Sequence, residues 1–261
     1  MPFVASRADS ELPAIDDRLA PPETRFEVHD GELVYVSPAD PPHGEHHVQL
    51  AALLEAHTGS DFQVAADLLT RTSKVDDIAP DVSVYPGAPD ARTGGRQLEQ
   101  LAFEIASTQS LAAAANKAAK LAGRGVRRVF AVDVARARVL EWSAERALWL
   151  QLDAAGHIED PALEVPLPIA AIVHAAKADD AVARALIARR NPVIEAVRTE
   201  DRAEGMITAK IEALIAVLAA RGIEVGAARD RIAREHDPGQ LDRWIARAAT
   251  ASTLADVLDR L

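Results

Sequence analysis

The sequence predicts an α/β protein: a mixed β-sheet flanked by helices, with an α-helical extension at the C-terminal end. Three observations carry this. Residues 25–36 alternate polar and apolar at period two on either side of a turn signal, as half-buried strands do. Apolar runs at 81–85, 100–106 and 126–133 read as strands buried in a sheet, and an alanine-rich helical segment separates the last two. From about Ile169 onward the apolar residues recur at helical spacing.

Residues 1–22, ending Ala20-Pro21-Pro22, read as a loosely held arm, with room for one short helix. Arg25-Phe26-Glu27-Val28-His29 and Glu32-Leu33-Val34-Tyr35-Val36 flank Asp30-Gly31, a strong hairpin turn signal. The stretch Pro38-Ala39-Asp40-Pro41-Pro42 breaks the chain, and residues 43–57 are expected to form a helix with Val48, Leu50, Ala51, Leu53 and Leu54 on its apolar stripe. Gly59 suits a left-handed cap. Residues 62–70 are expected to be one strand, 74–78 a polar bend, and Pro80 fixes entry into the strand that starts at Asp81.

Pro86, Gly87, Pro89, Gly94 and Gly95 mark an exposed loop. After the 100–106 strand, Ser107, Thr108 or Ser110 caps a helix running to about Ala122, and Gly123 and Gly125 stop it. A meander at 139–142 and 147–152 extends the sheet, and Pro161, Pro166 and Pro168 close the body. Helices follow at 170–188, at 192–220 as one or two with Gly205 as the weak point, and at 227–235, 238–249 and 253–261. The division expected is an arm at 1–22, a body at 23–168 and a helical extension at 169–261.

With 261 residues, nearly half of them hydrophobic, the chain can bury one substantial core plus an appendage. It has no cysteine, which excludes disulfides and thiolate chemistry. No apolar run is long enough to span a membrane, and no signal peptide is recognisable, so a cytoplasmic protein is expected. The net charge of −11 argues mildly against nucleic acid, since binders usually present a basic face. The acidity lies in the first 178 residues. The extension is nearly balanced, and Ile211, Leu214, Ile215, Val217 and Leu218 give it an apolar stripe for packing on the body or for homo-oligomerisation.

Candidate chemistry centres on the stretch 78–133. Asp81 opens one strand, Glu104 lies within the next, and Lys117 and Lys120 ride the helix after it. Mg²⁺ takes oxygen ligands and keeps several waters, so two carboxylates plus a substrate phosphate suffice to hold it. On the residues alone, the favoured reading makes Asp81 a solvated strand-start acid and Glu104 a salt-bridge partner of Lys117 or Lys120. His43, His46 and His47 cluster at a helix start, but the string His-Gly-Glu-His-His is not HExxH, so capping or surface roles lead over zinc. No P-loop, G-x-S-x-G or G-x-G-x-x-G string is present.

Residues 25–143 carry six landmarks in order. They are the hairpin at 26–34, Ser37-Pro38 with His43-Gly44, Ala79-Pro80-Asp81-Val82, Phe103-Glu104-Ile105-Ala106-Ser107, Lys117 ahead of Gly125-Val126, and Val129-Phe130-Ala131-Val132-Asp133. In these the chain resembles the Uma-type endonuclease family of the PD-(D/E)XK nuclease superfamily. The superfamily's lysine normally lies two residues after the acid; that position is Ala106 here, and the resemblance moves the lysine to Lys117. Many relatives carry a tyrosine where this chain has Leu121.

The resemblance implies a restriction-endonuclease-like core. It implies catalysis by Asp81, Glu104 and Lys117, with Mg²⁺ or Mn²⁺ held by the two carboxylates and the backbone carbonyl of Ile105. Glu27, His43 and Lys120 would lie at the edge of that site. The expected substrate is DNA, and the alternative is a catalytically silent module that keeps the fold to bind nucleic acid or protein.

Overall fold

The computed structural model describes residues 12–19, 25–36, 41–107 and 110–258, the side chains of 175–177 excepted. Ser37-Pro38, Thr108, the last three residues and most of the expected arm lie outside the described residues. The chain divides into two compact units, Met1–Arg189 and Arg190–Leu261.

In the first unit, β1 (Phe26–His29) and β2 (Glu32–Tyr35) form the hairpin, and the long helix α1 (Pro41–His57) follows. Then come β3 (Phe62–Ala66), the short strands β4 (Thr70–Arg71) and β5 (Asp77–Ile78), and β6 (Val82–Pro86). Next, β7 (Leu101–Ala106), α2 (Leu111–Arg124) and β8 (Arg128–Asp133) make a strand–helix–strand crossover. β9 (Arg138–Ser143) and β10 (Leu148–Gln151) complete the meander, and a ribbon of β11 (His157–Ile158) and β12 (Leu167–Pro168) leads into α3 (Ile169–Val173) and α4 (Ala175–Ala188).

The main sheet has the order β10-β9-β8-β7-β6-β3. Only its central β7–β8 pair is parallel, because α2 must carry the chain back to the starting edge before β8 can begin. A four-stranded antiparallel sheet, β2-β1-β5-β4, accompanies it.

Alternation along β7 sorts the two faces. Leu101, Phe103 and Ile105 join Leu50, Leu53 and Leu54 of α1 in one core cluster. Ala102 faces the other way, with Ala118 and Leu121 of α2, Val129 and Ile78. Glu104 shares the parity of Ala102, so its carboxylate is directed to the α2 side. α2 is tied at both ends: Ser110 Oγ accepts from Ala113 N at 3.3 Å, and Gly125, at φ +115, closes the C-terminus.

Two breaks depart from the sequence pattern. The strand expected at 62–70 stops at Ala66, because Asp67 turns into the left-handed region at φ 51 and donates its amide to the Asp81 carbonyl at 3.1 Å. The helix expected at 170–188 breaks at His174, whose extended backbone separates α3 from α4. Residues 12–19 of the arm carry no helix and are held to the body, with Pro13 O accepting from Arg124 and Leu19 N donating to Asp77. Arg189 donates to the carbonyls of Glu55 and Ala56 at the end of α1, where a cation suits the helix dipole.

The second unit comprises α5 (Pro192–Ala220), a single helix through Gly205, then α6 (Arg229–Ala233), α7 (Pro238–Ala248) and α8 (Leu254–Val257). Leu214 and Leu218 of the predicted stripe are buried with Ile232, Leu241, Trp244 and Val257, a core internal to this unit. Among the described residues no helix is long and apolar enough to cross a membrane.

Phe103 is fully buried and stacks on Phe130 with ring centroids 4.8 Å apart. Phe103→Ala should therefore cost about 3–5 kcal/mol, read as a lower urea midpoint for the transition of the sheet-bearing unit.

Candidate active site

The register of the main sheet assembles the site. Val82 of β6 lies opposite Phe103 of β7, so Asp81, one residue before β6, comes level with Glu104. The Ile105 amide donates to Asp81 Oδ2 at 2.5 Å, which orients that carboxylate. Lys117, on the inner face of α2, reaches Glu104 Oε2 at 2.9 Å. The small sheet adds a third acid: Glu27 of β1 meets Lys117 Nζ at 3.1 Å and accepts from the Ala79 amide at 3.2 Å. His29 holds the other Glu27 oxygen at 2.7 Å. Asp81, Glu104, Lys117 and Glu27 thus share one buried cluster.

Two histidines of α1 close the other side. His43 Nε2 stands 3.6 Å from Asp81 Oδ1, and its Nδ1 is 3.2 Å from Ser107 Oγ. His47, one turn on, stacks on His43 and places Nε2 3.5 Å from Asp67 Oδ1. His47, Asp67 and Asp81 each offer a ligand atom, all within 4.8 Å of one another, a donor set able to hold a divalent cation. Lys120 is not drawn in; its ammonium lies 2.5 Å from Asp76 and 3.2 Å from Asp30. Asp67 was missed by sequence reasoning, which left it inside a strand; an aspartate tolerant of left-handed backbone was the available signal.

Charge is unequal in the cluster. Three carboxylates converge on the Lys117 ammonium. Burial alone would raise Glu27 and Asp81, yet both are held below the ordinary carboxylate range. For Glu27 the His29 hydrogen bond and the Lys117 charge outweigh burial; for Asp81 it is His43, Lys117 and the Ile105 amide. Burial would lower Lys117, but Glu104, Glu27 and Asp81 push it above the usual lysine value.

Glu104, only 1% exposed, goes the other way. Burial, reinforced by Asp81 and Glu27 against the pull of Lys117, pushes it up to about 8. Its Oε1 is buried without a hydrogen-bond partner. A buried orphan oxygen on an under-neutralised carboxylate cluster is the donor chemistry that fits a hard divalent cation.

A mixed sheet crossed by one parallel connection, with two acids and a lysine meeting at its centre, defines a nuclease-like α/β protein. The chain belongs to the Uma2 family, described as "Putative restriction endonuclease", whose model matches residues 11–172. It is also similar to a crystal structure titled as a putative nuclease belonging to DUF820 from Anabaena variabilis ATCC 29413. That likeness covers 57% of this chain and 89% of the other, at 14% identity and a TM-score of 0.48. Among curated proteins none matches.

Glu104 supplies a prediction on stability. A carboxyl raised by folding, here from 4.5 to about 8, stabilises the fold below the lower value and loses that contribution as pH rises through the upper one. In chelator-treated protein, the stability of Glu104→Gln relative to the parent should therefore grow between these pH values. The gain should reach on the order of a few kcal/mol near pH 8. Denaturant titrations across that range test it, and a difference that does not change with pH would contradict the assignment.

Proposed function

We propose that the chain is a divalent-cation-dependent endonuclease that hydrolyses DNA phosphodiester bonds with Mg²⁺ or Mn²⁺. The observation that carries this reading is Glu104: fully buried, with one oxygen on Lys117 and the other without a partner, beside Asp81. A core built for stability alone would have balanced these charges or replaced them with apolar groups.

Asp81, Glu104 and the Ile105 carbonyl would hold the cation. When bound, the cation supplies a lowered pKa for water and neutralises charge on the phosphate. The protein's own groups do the rest. The Ile105 amide fixes the rotamer of Asp81, so one carboxylate oxygen stays directed into the cluster. The Ile105 carbonyl accepts from Ser107 N at 3.2 Å and keeps a second lone pair. Glu27 and Glu104 grip Lys117 from two sides, and the surrounding acids keep it protonated. A permanently charged Lys117 serves as a hydrogen-bond donor that orients the attacking water or stabilises the phosphoryl charge, and not as a general base. Glu27 acts through Lys117 as a positioning residue, and His43, beside Asp81, is suited to contact phosphate or water.

Plasmid and single-stranded DNA incubated with Mg²⁺ or Mn²⁺ test the reading. Cleavage by the parent should fall by about 10²–10³-fold in Asp81→Asn, Glu104→Gln and Lys117→Ala. Equal cleavage by parent and Glu104→Gln would assign the activity to a contaminant. DNA binding by the parent without cleavage would mean a silent nuclease-fold module.

A further inference from the structure

The two edges of the small sheet differ. At one, residues 12–19 cover β4: the Arg71 amide donates to the Ile15 carbonyl at 2.9 Å, so that edge is closed by the chain itself. At the other, β2 pairs with β1 alone among the described residues. We propose that β2 is the pairing edge of a homodimer, in which β2 of one copy lies antiparallel to β2 of its partner and joins two four-stranded sheets into one. This inference goes beyond the nuclease reading and does not depend on it.

Proteins protect an open edge with lysine, proline, a bulge or a covering loop. Residues 33–36 have no such protection. Leu33, Val34, Tyr35 and Val36 are consecutive and apolar, and they are 59%, 42%, 56% and 39% exposed. Their register against β1 is regular, without a bulge. A run of four exposed apolar residues on a strand edge marks a contact surface.

Backbone geometry fixes the kind of occupant. The Val36 amide donates across the hairpin to the Arg25 carbonyl at 2.9 Å. Backbone groups of an antiparallel strand alternate in direction. Those of Leu33 and Tyr35 therefore point away from β1, and among the described residues nothing pairs with them. Such a row of alternating donors and acceptors is matched by another extended strand.

Side chains fix which strand. With Val34 opposite the partner's Val34, Leu33 falls opposite the partner's Tyr35, and every outward donor meets an acceptor. Aliphatic–aromatic pairs of this kind are favourable across strands. Glu32 falls opposite the partner's Val36, so no like charges face each other. A patch that complements its own copy is what a two-fold interface requires. The apolar stripe of the extension, offered by the sequence for oligomerisation, is taken up in that unit's own core through Leu214 and Leu218.

The same register reaches the charged cluster. Val34 lies opposite Glu27, the acid that meets Lys117 at 3.1 Å. Glu27, Val34, the partner's Val34 and the partner's Glu27 fall in one row across the joined sheet. The two glutamates lie on the same face, three strand spacings or about 14 Å apart.

The chain has no cysteine, so single thiols introduced into the full chain report this register. Val34→Cys should form an intermolecular disulfide under mild oxidation, because directly opposed positions of two strands lie within bridging range. Val48→Cys controls for random collision: Val48, on α1, is 69% exposed and should stay unlinked. Leu33→Cys and Tyr35→Cys should cross-link with each other when mixed, and far less when each is alone.

Sedimentation velocity of the parent should show a concentration-dependent dimer. Val34→Lys sets like charges opposite each other, and Leu33→Pro removes an outward amide that β1 does not use. Each should raise the dimer dissociation constant by more than about tenfold, and either serves where the other does not fold. A parent that is monomeric at every concentration would overturn the pairing. So would Val48→Cys cross-linking as fast as Val34→Cys, or a dimer that survives both Val34→Lys and Leu33→Pro. None of these readouts uses DNA, so failure of the nuclease reading leaves the interface standing.

Discussion

The body of this protein is organised around one buried contact at its centre, the Glu104 carboxyl against the Lys117 ammonium. Glu104 lies in β7, in the middle of the six-stranded sheet, on the face covered by α2. A carboxylate in that position is expensive unless a cation meets it. Lys117 does so from α2 at 2.9 Å, and Glu27 reaches the same ammonium from the small sheet at 3.1 Å. One side chain thereby ties three elements together: the central strand, its crossover helix and the accessory sheet.

The pair is nonetheless incomplete as a structural device. Asp76 shows what a satisfied acid looks like here, since it takes Lys120, the Ser73 hydroxyl and the Asp30 amide. Around Lys117 the acids outnumber the cation, and Glu104 Oε1 has no partner. Breaking local consistency in the core costs stability, and proteins concentrate such breaks at functional sites. The shifts follow the same logic: Asp81 and Glu27 go down because each has its own donors, and Glu104 goes up because burial and its acidic neighbours outweigh a shared lysine.

Much of this was legible in the sequence, and the failures have local causes. Period-two alternation placed β1 and β2, and apolar runs placed β7 and β8, because burial on one or both faces writes itself into residue type. Asp81, Glu104 and Lys117 stood out as acids and a base within apolar elements. Lys120 did not follow Lys117: positions three apart on a helix diverge by about 60° and rise by about 4.5 Å, enough to send one ammonium to Glu104 and the other to Asp76. Glu27 read equally well as a solvated strand acid. The breaks at Asp67 and His174 were hidden because the apolar pattern continues on both sides of each.

The sequence by itself determined the elements, since helix and strand periods, turn residues and caps are local properties. Only the tertiary structure decided which acids meet. Pairing of Val82 with Phe103 brings Asp81 level with Glu104, while a slip of one residue would have turned the whole strand's side chains to the opposite face. Such a register joins residues more than twenty positions apart. It is chosen by the fit of two cores on either side of the sheet, and no short stretch of sequence carries that information.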